Sequence, residues 1–259
     1  MRVLVVQHSS RRRRVLLRRG VWAGGEVLVT VGVVLLLLVV HQLWWTNRQA
    51  KVGAERKVEA LEREWGVPEG GGAPDDSGTS GTSSAAPEET GAPPRQPAAR
   101  RATSAGPDWS QAYAILTIPR LHLRVPVAEG TSKQNVLNKG YVGHYSGTQQ
   151  PGRAGNFALA GHRNTHGEPF RYVNRLGRGD EVQVETEDAV YTYAVDRILA
   201  QTSARDTGVI RAVPSSTVRH GYGYSEPGYY LTLTTCTPEY TSKYRLVVWG
   251  KLLSMRPRH

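Results

Sequence analysis

The sequence predicts a mainly β domain, a barrel or sandwich of about 145 residues, joined to one transmembrane helix. Three observations support this fold class. Val27 to Trp45 is an uncharged apolar run, residues 66–108 consist almost wholly of Gly, Pro, Ala, Ser, Thr and charged residues, and short β-type runs separated by Gly and Pro follow from Trp109. Such spacing of short strands is typical of barrels and sandwiches.

The N-terminal segment has the features of a membrane anchor. Residues 1–20 contain seven arginines and no acidic residue, and the apolar run that follows is nineteen residues long. A helix of that length spans roughly 28 Å, close to the thickness of a bilayer's hydrocarbon core. We therefore expect a basic cytoplasmic tail over 1–20, a transmembrane helix over 21–46 and the remaining chain outside the cell.

Two other interpretations of this segment are less favoured. A cleaved signal peptide has a shorter apolar core followed by small residues, whereas here "WWTNRQ" follows, and "VGA" at 52–54 is only a weak cleavage match. The net charge of +11 could indicate nucleic-acid binding, but the adjacent apolar helix already accounts for the arginine cluster. We expect contact with membrane lipid and no nucleic-acid partner.

Two further segments lie between the membrane and the β domain. "RQAKVGAERKVEALEREW" has helix-forming composition, so we predict a juxtamembrane helix over 47–65. Residues 66–108 lack the apolar side chains that would offset the entropy of ordering, which predicts a disordered linker. A flexible chain of that length has a root-mean-square span of roughly 35 Å, and it could hold a globular domain away from the lipid.

The predicted catalytic domain covers 109–254 and consists mainly of strands. "EPFRYVNRL" is its best helix candidate, with Pro169 in the first turn. The predicted strands are "AYAILTI", "LRVPV", "GNFALAGH", "DEVQVET", "AVYTYAVDRIL", "GYYLTLTTC" and "YRLVVWGKLL".

Cys236 is the only cysteine of the chain, and it ends the clearest β-run. A single cysteine cannot form an internal disulfide, so it is an inert buried residue, an intermolecular bridge or a reactive thiol. Outside the cell, structural cysteines come in pairs, which favours reactivity. Arg245 opens the next strand; if the two strands are antiparallel neighbours, its guanidinium returns beside the thiol, where it favours thiolate and can donate to an oxyanion.

A cysteine nucleophile also needs a group that exchanges protons. His162 ends the apolar strand "NFALAGH", so it lies at a strand end as Cys236 does, and it is the favoured candidate over His166. A surface or capping role is the alternative for both. The other histidines of the predicted domain are His122, His144 and His220.

These segments resemble the sortases, the membrane-anchored cysteine transpeptidases of Gram-positive bacteria. The resemblance is carried by "PGRAGNFALAGHRNTHGEPF", "TLTTCTPEYTSKYRLVVWG" and "LTIPRLHLRVPVAEGTSKQNVLNKG". It is strongest to the class E housekeeping enzymes of actinobacteria, and it implies an eight-stranded β-barrel. Pilus-building sortases typically carry a lid with an Asp-Pro-aromatic motif, whereas "PDWS" at 107–110 has a different order.

The resemblance also implies roles for individual residues. Cys236 matches the nucleophile, His162 the histidine of "GHR" and Arg245 the arginine that follows the cysteine; Thr234 and Thr235 match residues that lead into the nucleophile and are predicted to contact substrate. His166 matches no catalytic position. No metal and no cofactor are expected.

The implied reaction is cleavage of the Thr–Gly bond in an LPxTG- or LAxTG-like C-terminal sorting signal, followed by transfer of the protein to a peptidoglycan-precursor amine. Two alternatives stay open, a tethered cysteine peptidase that uses water and a non-catalytic wall-binding module. Calcium dependence is also open, although Glu185, Glu187 and Asp188 fit a solvated hairpin turn better than a ligand set.

Overall fold

The computed structural model describes residues 9–66 and 111–258. The predicted linker, apart from Gly66, lies outside the described residues, as do residues 1–8 of the basic tail. The described chain consists of one long helix and one β-barrel.

The N-terminal helix α1 runs without a break from Ser9 to Gly66. The predicted transmembrane and juxtamembrane segments are therefore parts of one helix. Its apolar stretch has a mean hydropathy of 2.5 over eighteen residues, and none of that stretch is buried within the protein. By length and composition, this half of α1 can cross a membrane.

The eight strands form a closed barrel, as predicted. Around the barrel their order is β1-β2-β3-β4-β7-β8-β6-β5, and two of the pairings, β2 with β3 and β4 with β7, are parallel. The strands are β1 (Ala112–Ile118), β2 (Leu123–Glu129), β3 (Val142–His144), β4 (Gly155–Ala160), β5 (Glu181–Glu185), β6 (Ala189–Ser203), β7 (Tyr229–Thr237) and β8 (Tyr244–Pro257).

Strand β1 is buried on both of its faces. Leu116 belongs to the main core inside the barrel, whereas Ile115 points outward into a second apolar cluster under α1. This explains why β1 reads as a nearly continuous apolar run instead of alternating.

The second half of α1 packs against the outside of the barrel. Its buried side chains are Ala50, Ala54, Val58 and Leu61, at spacings of four, four and three residues, which form one face of a helix. Full burial of a valine or leucine stabilises by about 1.5–3 kcal/mol. The barrel therefore contacts the same helix that carries the apolar segment, a contact that the sequence did not predict.

One local prediction was wrong, and one strand was not predicted. "EPFRYVNRL" forms turns and a short 3-10 turn at Val173–Arg175 in place of an α-helix. Strand β3 was not predicted, because it has only three residues and all of them are buried, so no alternation is visible in the sequence.

Candidate active site

The strand register brings the three predicted catalytic positions to one rim of the barrel. In the parallel pair β4–β7, Ala160 lies opposite Thr234, so His162 and Cys236 each follow this pair by two residues. In the antiparallel pair β7–β8, Cys236 lies directly opposite Arg245. Because directly opposed residues project to the same face of a sheet, the thiol and the guanidinium share one side of the rim.

Cys236 lies at the edge of the site, partly exposed and not in a disulfide. Its backbone is held by the nearly buried Arg163, whose Nη1 donates to the Cys236 carbonyl at 3.2 Å and to Thr237 Oγ1 at 3.0 Å. Arg163 Nη2 also lies 3.7 Å from a carboxylate oxygen of Glu239. The arginine that follows His162 thus fixes the strand end that carries the thiol.

The two threonines before Cys236 connect β7 to β4. Thr235 Oγ1 donates to the Gly161 carbonyl at 2.8 Å, and Thr234 Oγ1 donates to the Leu159 carbonyl at 3.1 Å. Both side chains are buried. Substrate contact by Thr234 and Thr235 stays a prediction, and their observed contacts lock the His162 and Cys236 strand ends together.

Gly161 fits this junction because a side chain would not. A Cβ at Gly161 would lie 2.7 Å from the ring of Phe170, a buried core residue. The close approach of this ring holds the backbone just before His162, which accounts for the Gly-His pair at this position.

His162 is held at one ring nitrogen. Its Nε2 lies 2.9 Å from Asn138 Oδ1, and because an amide oxygen only accepts, Nε2 carries the hydrogen. Among the described residues Nδ1 makes no hydrogen bond. Burial, with smaller effects of His166 and Lys133, lowers the pKa of His162 to about 4. At neutral pH the ring is uncharged, with a lone pair on Nδ1 that can accept a proton.

His166 lies beside His162 and differs from it in its contacts. The two rings stack with centroids 5.2 Å apart. The buried Nδ1 of His166 has no hydrogen-bond partner among the described residues, and burial lowers the pKa of this ring. His166 therefore covers one face of the His162 ring.

Arg245 is partly fixed by the connection between β7 and β8. Its Nη1 donates to the carbonyls of Ser242 and Tyr244, at 2.9 and 3.0 Å. Nε and Nη2 make no hydrogen bond among the described residues. The guanidinium of Arg245 is therefore anchored through Nη1, and within the described chain its other two nitrogens are free to donate.

Asn138 and Arg163 were not identified as site residues from the sequence. Asn138 lies 24 residues before its partner His162, and Arg163 lies 73 residues before Cys236. The only available signal was Arg163 itself, a charged residue directly after an apolar strand.

The described residues include no group of three or more His, Cys, Asp or Glu side chains suited to a metal ion. Glu185 instead faces cations, with Arg124 Nη2 at 3.5 Å and Arg258 Nη1 at 3.6 Å. Glu187 and Asp188 lie in the connection between β5 and β6, which form an antiparallel hairpin.

Comparison with known proteins identifies the family. The model of the sortase domain matches residues 116–253, which include all three rim positions. The chain belongs to the sortase family. Sortases are cysteine transpeptidases, and this sortase is 42% identical over 239 residues to Sortase SrtE1 of Streptomyces coelicolor and 32% identical over 237 residues to Sortase SrtE2 of the same organism.

These matches cover 90% and 88% of this sortase, and 57% and 80% of the two relatives. The chain thus spans little more than half the length of Sortase SrtE1. Among solved structures, Sortase E1 from Streptomyces coelicolor with a tripeptide in the active site is 51% identical, with a TM-score of 0.54. Sortase E from Streptomyces avermitilis is 40% identical, with a TM-score of 0.51; each comparison covers 57% of this sortase and 92% of the solved chain.

Proposed function

We propose that this sortase is a membrane-anchored class E transpeptidase that cleaves the Thr–Gly bond of an LPxTG- or LAxTG-like C-terminal sorting signal. It transfers the protein to an amine of a peptidoglycan precursor. The proposal rests on the strand register at the rim. Cys236 lies opposite Arg245 in the β7–β8 pair, and Cys236 and His162 each lie two residues beyond a pair of opposed residues in β7 and β4.

The first half-reaction forms a thioester. Cys236 Sγ attacks the threonine carbonyl carbon while its proton passes to Nδ1 of the neutral His162 ring. The two free nitrogens of Arg245 donate hydrogen bonds to the carbonyl oxygen as it becomes negative. The imidazolium then returns the proton to the glycine nitrogen as the C–N bond breaks, which leaves a thioacyl enzyme and a free amine.

The second half-reaction reverses these roles. The acceptor amine attacks the thioester carbonyl, His162 takes the amine proton, and the Cys236 sulfur leaves and recovers a proton. Asn138 supports both halves because it holds the ring in one tautomer, so that Nδ1 is the nitrogen that exchanges protons. No step requires a metal or a cofactor.

The anchor accounts for the proposed location. Arginines before the apolar stretch of α1 hold the N-terminus in the cytoplasm, and the barrel, which follows that stretch, lies outside at the cell membrane. Both proposed substrates are found on that side, one as an exported protein and the other as a wall precursor.

The test is mass spectrometry of Cys236 after incubation with LAxTG and LPxTG peptides, with and without an amine. We expect a thioacyl adduct on Cys236 and an amide product when the amine is present. The Cys236→Ala variant is the control and should give neither. Hydrolysis that added amine does not redirect would identify a peptidase that uses water, and peptide binding without any adduct would indicate a binding module.

A further inference from the structure

The loop after His162 adopts a backbone conformation that depends on its surroundings. His166, Gly167 and Glu168 have φ values of 52°, 84° and 52°, three consecutive residues in the left-handed region. Residues other than glycine rarely adopt this backbone conformation, and they keep it only where the neighbouring structure fixes them. This loop therefore needs an external support.

The first turn of α1 beyond the apolar stretch supplies that support. Asn47 Oδ1 accepts the Gly167 N–H at 2.6 Å, a contact between residues 120 positions apart. Ala50 packs its carbonyl against Gly140: a Cβ at Gly140 would lie 2.7 Å from the Ala50 oxygen and 3.3 Å from the His166 carbonyl. The helix, Gly140 and the loop thus form one close-packed junction.

Both supports of His162 begin at this junction. On one side, His166 leads into Gly167 and stacks on the His162 ring. On the other side, Gly140 closes the 3-10 turn Leu137–Lys139, whose Asn138 holds His162 Nε2. A shift of α1 at Asn47 and Ala50 would therefore reach His162 by two routes.

The proposed membrane topology places this junction at the membrane surface. Asn47 follows Trp45 by two residues, or about 3 Å along the helix axis, and tryptophans next to an apolar span occupy the interface between lipid and water. The point where α1 leaves the bilayer is thus the point where it contacts the histidine loop.

We propose that Asn47 is a positioning residue for His162, and that turnover is coupled to the docking of the barrel on its own anchor helix. The inference rests on the proposed function, because it assigns His162 a proton-transfer role. A misplaced ring loses reaction rate more than substrate binding, since alignment of the reacting groups contributes mainly to the barrier.

Asn47 can be altered without undocking the helix. A cavity of about 480 Å³ lies beside this contact and is lined in part by Asn47, Lys51 and Gly167. The hydrogen bond between Asn47 and Gly167 is therefore not part of the apolar interface between α1 and the barrel. Val58 and Leu61, further along α1, bury the apolar face against the barrel. Loss of the Asn47 contact therefore frees the loop and leaves the main interface intact.

The experiment uses the full chain in liposomes and compares Asn47→Leu with Asn47→Asp. Leucine has the same branched arrangement of side-chain heavy atoms but cannot accept the Gly167 hydrogen bond, whereas aspartate can. Gln49→Leu is the matched control, because Gln49 is exposed on the same turn. Turnover of a quenched LAxTG peptide gives kcat and KM, and hydrogen exchange reports the amides of residues 162–168.

We expect Asn47→Leu to lower kcat about tenfold with KM changed less than about twofold, the size of effect that loss of one positioning hydrogen bond can produce. Hydrogen exchange at Gly167 should increase in the same variant. Asn47→Asp and Gln49→Leu should match wild type in kcat and in exchange.

A wild-type kcat in Asn47→Leu, an equal loss in Asn47→Asp, or a change confined to KM would overturn the inference. Hydrogen exchange separates this outcome from failure of the proposed function. If the wild-type chain forms no thioester on Cys236, the proposed function fails, while unchanged exchange at Gly167 in Asn47→Leu rejects the positioning role whatever the activity.

Discussion

His144 is buried and His162 is half-buried, and their hydrogen bonds differ in the way expected of a structural histidine and of the proposed proton-transfer histidine. His144 is buried, and both ring nitrogens have partners: Nδ1 lies 2.7 Å from a Glu129 oxygen, and Nε2 lies 3.1 Å from the Gln149 carbonyl. Its ring also packs against Phe157, with centroids 4.8 Å apart. His162 has one occupied nitrogen and one open nitrogen, and it lies at a strand end.

The comparison shows that a lowered pKa alone does not identify the reactive ring. Burial lowers the pKa of His144, against an opposing effect of the Glu129 carboxylate, and burial also lowers the pKa of His162. What differs is the availability of a nitrogen. A ring with both nitrogens engaged holds structure together, whereas a ring with one nitrogen anchored and the other open can transfer a proton.

The largest expected effect is that of His162→Ala. Loss of a positioned proton-transfer group typically costs 10²- to 10⁴-fold in rate, or roughly 3–5 kcal/mol, and we expect a loss of that size with little change in the thermal midpoint. His166→Ala is the paired comparison and should lose no more than about tenfold, since its ring supports His162 by stacking and exchanges no proton. Turnover of a quenched sorting-signal peptide measures both variants, and the opposite ranking would reverse the assignment.

Arg245→Lys tests the other half of the rim. Lysine keeps the positive charge but lacks the rigid planar fork, so a directional oxyanion donor should be lost. We expect turnover to fall about 10²- to 10³-fold, equivalent to roughly 2.7–4 kcal/mol, with Cys236 still alkylated by iodoacetamide. Activity within threefold of wild type would show that Arg245 supplies only a positive field.

His144→Ala should lower the stability of the fold and leave the catalytic rate unchanged. It removes a buried ring and leaves its hydrogen-bond partners unsatisfied, which we expect to lower the free energy of unfolding by about 2–4 kcal/mol. Urea denaturation of the variant measures this loss. Activity per folded molecule should match wild type, and a selective loss of activity in a stable variant would contradict the distinction between the two histidines.

The smallest expected effect is a pH dependence of stability. The pKa of His162 is about 4 in the folded protein and about 6.5 in an unfolded chain, so the unfolded state binds more protons between these values. The contribution of His162 is fully present above pH 6.5 and is lost as the pH falls toward 4. Denaturation at pH 7 and pH 4.5 should show a smaller decrease for His162→Gln than for wild type.

Much of the barrel could be predicted from the sequence because its signals are local. The predicted first strand "AYAILTI" coincides with β1. The sequence placed Arg245 beside Cys236 on the condition that their strands are antiparallel neighbours, and β7 and β8 are such a pair. Cys236, His162 and Arg245 were proposed as site residues because each lies at the end of an apolar run, and their catalytic roles stay predictions.

The features that could not be predicted from the sequence depend on contacts between residues far apart in the chain. The helix predicted around Pro169 does not form, because the backbone before it turns left-handed at His166 to Glu168 and follows tertiary contacts in place of local propensity. The docking of α1 was not predicted, because the juxtamembrane helix was recognised by its composition alone and the stripe of Ala50, Ala54, Val58 and Leu61 was not considered.

The packing of the end of α1 beside the start of β1 has a consequence for the evolution of the chain. Trp65, at the end of α1, packs against the same apolar cluster that contains Ala112 at the start of β1. Both residues that flank the connection from α1 to β1 thus belong to one packed cluster. The sequence predicts a disordered linker in this connection, and doubling the length of a disordered loop costs only about 0.6 kcal/mol of closure entropy. We therefore expect insertions and deletions in the linker to be nearly neutral for docking, whereas a single polar substitution at the buried Leu61 would not be.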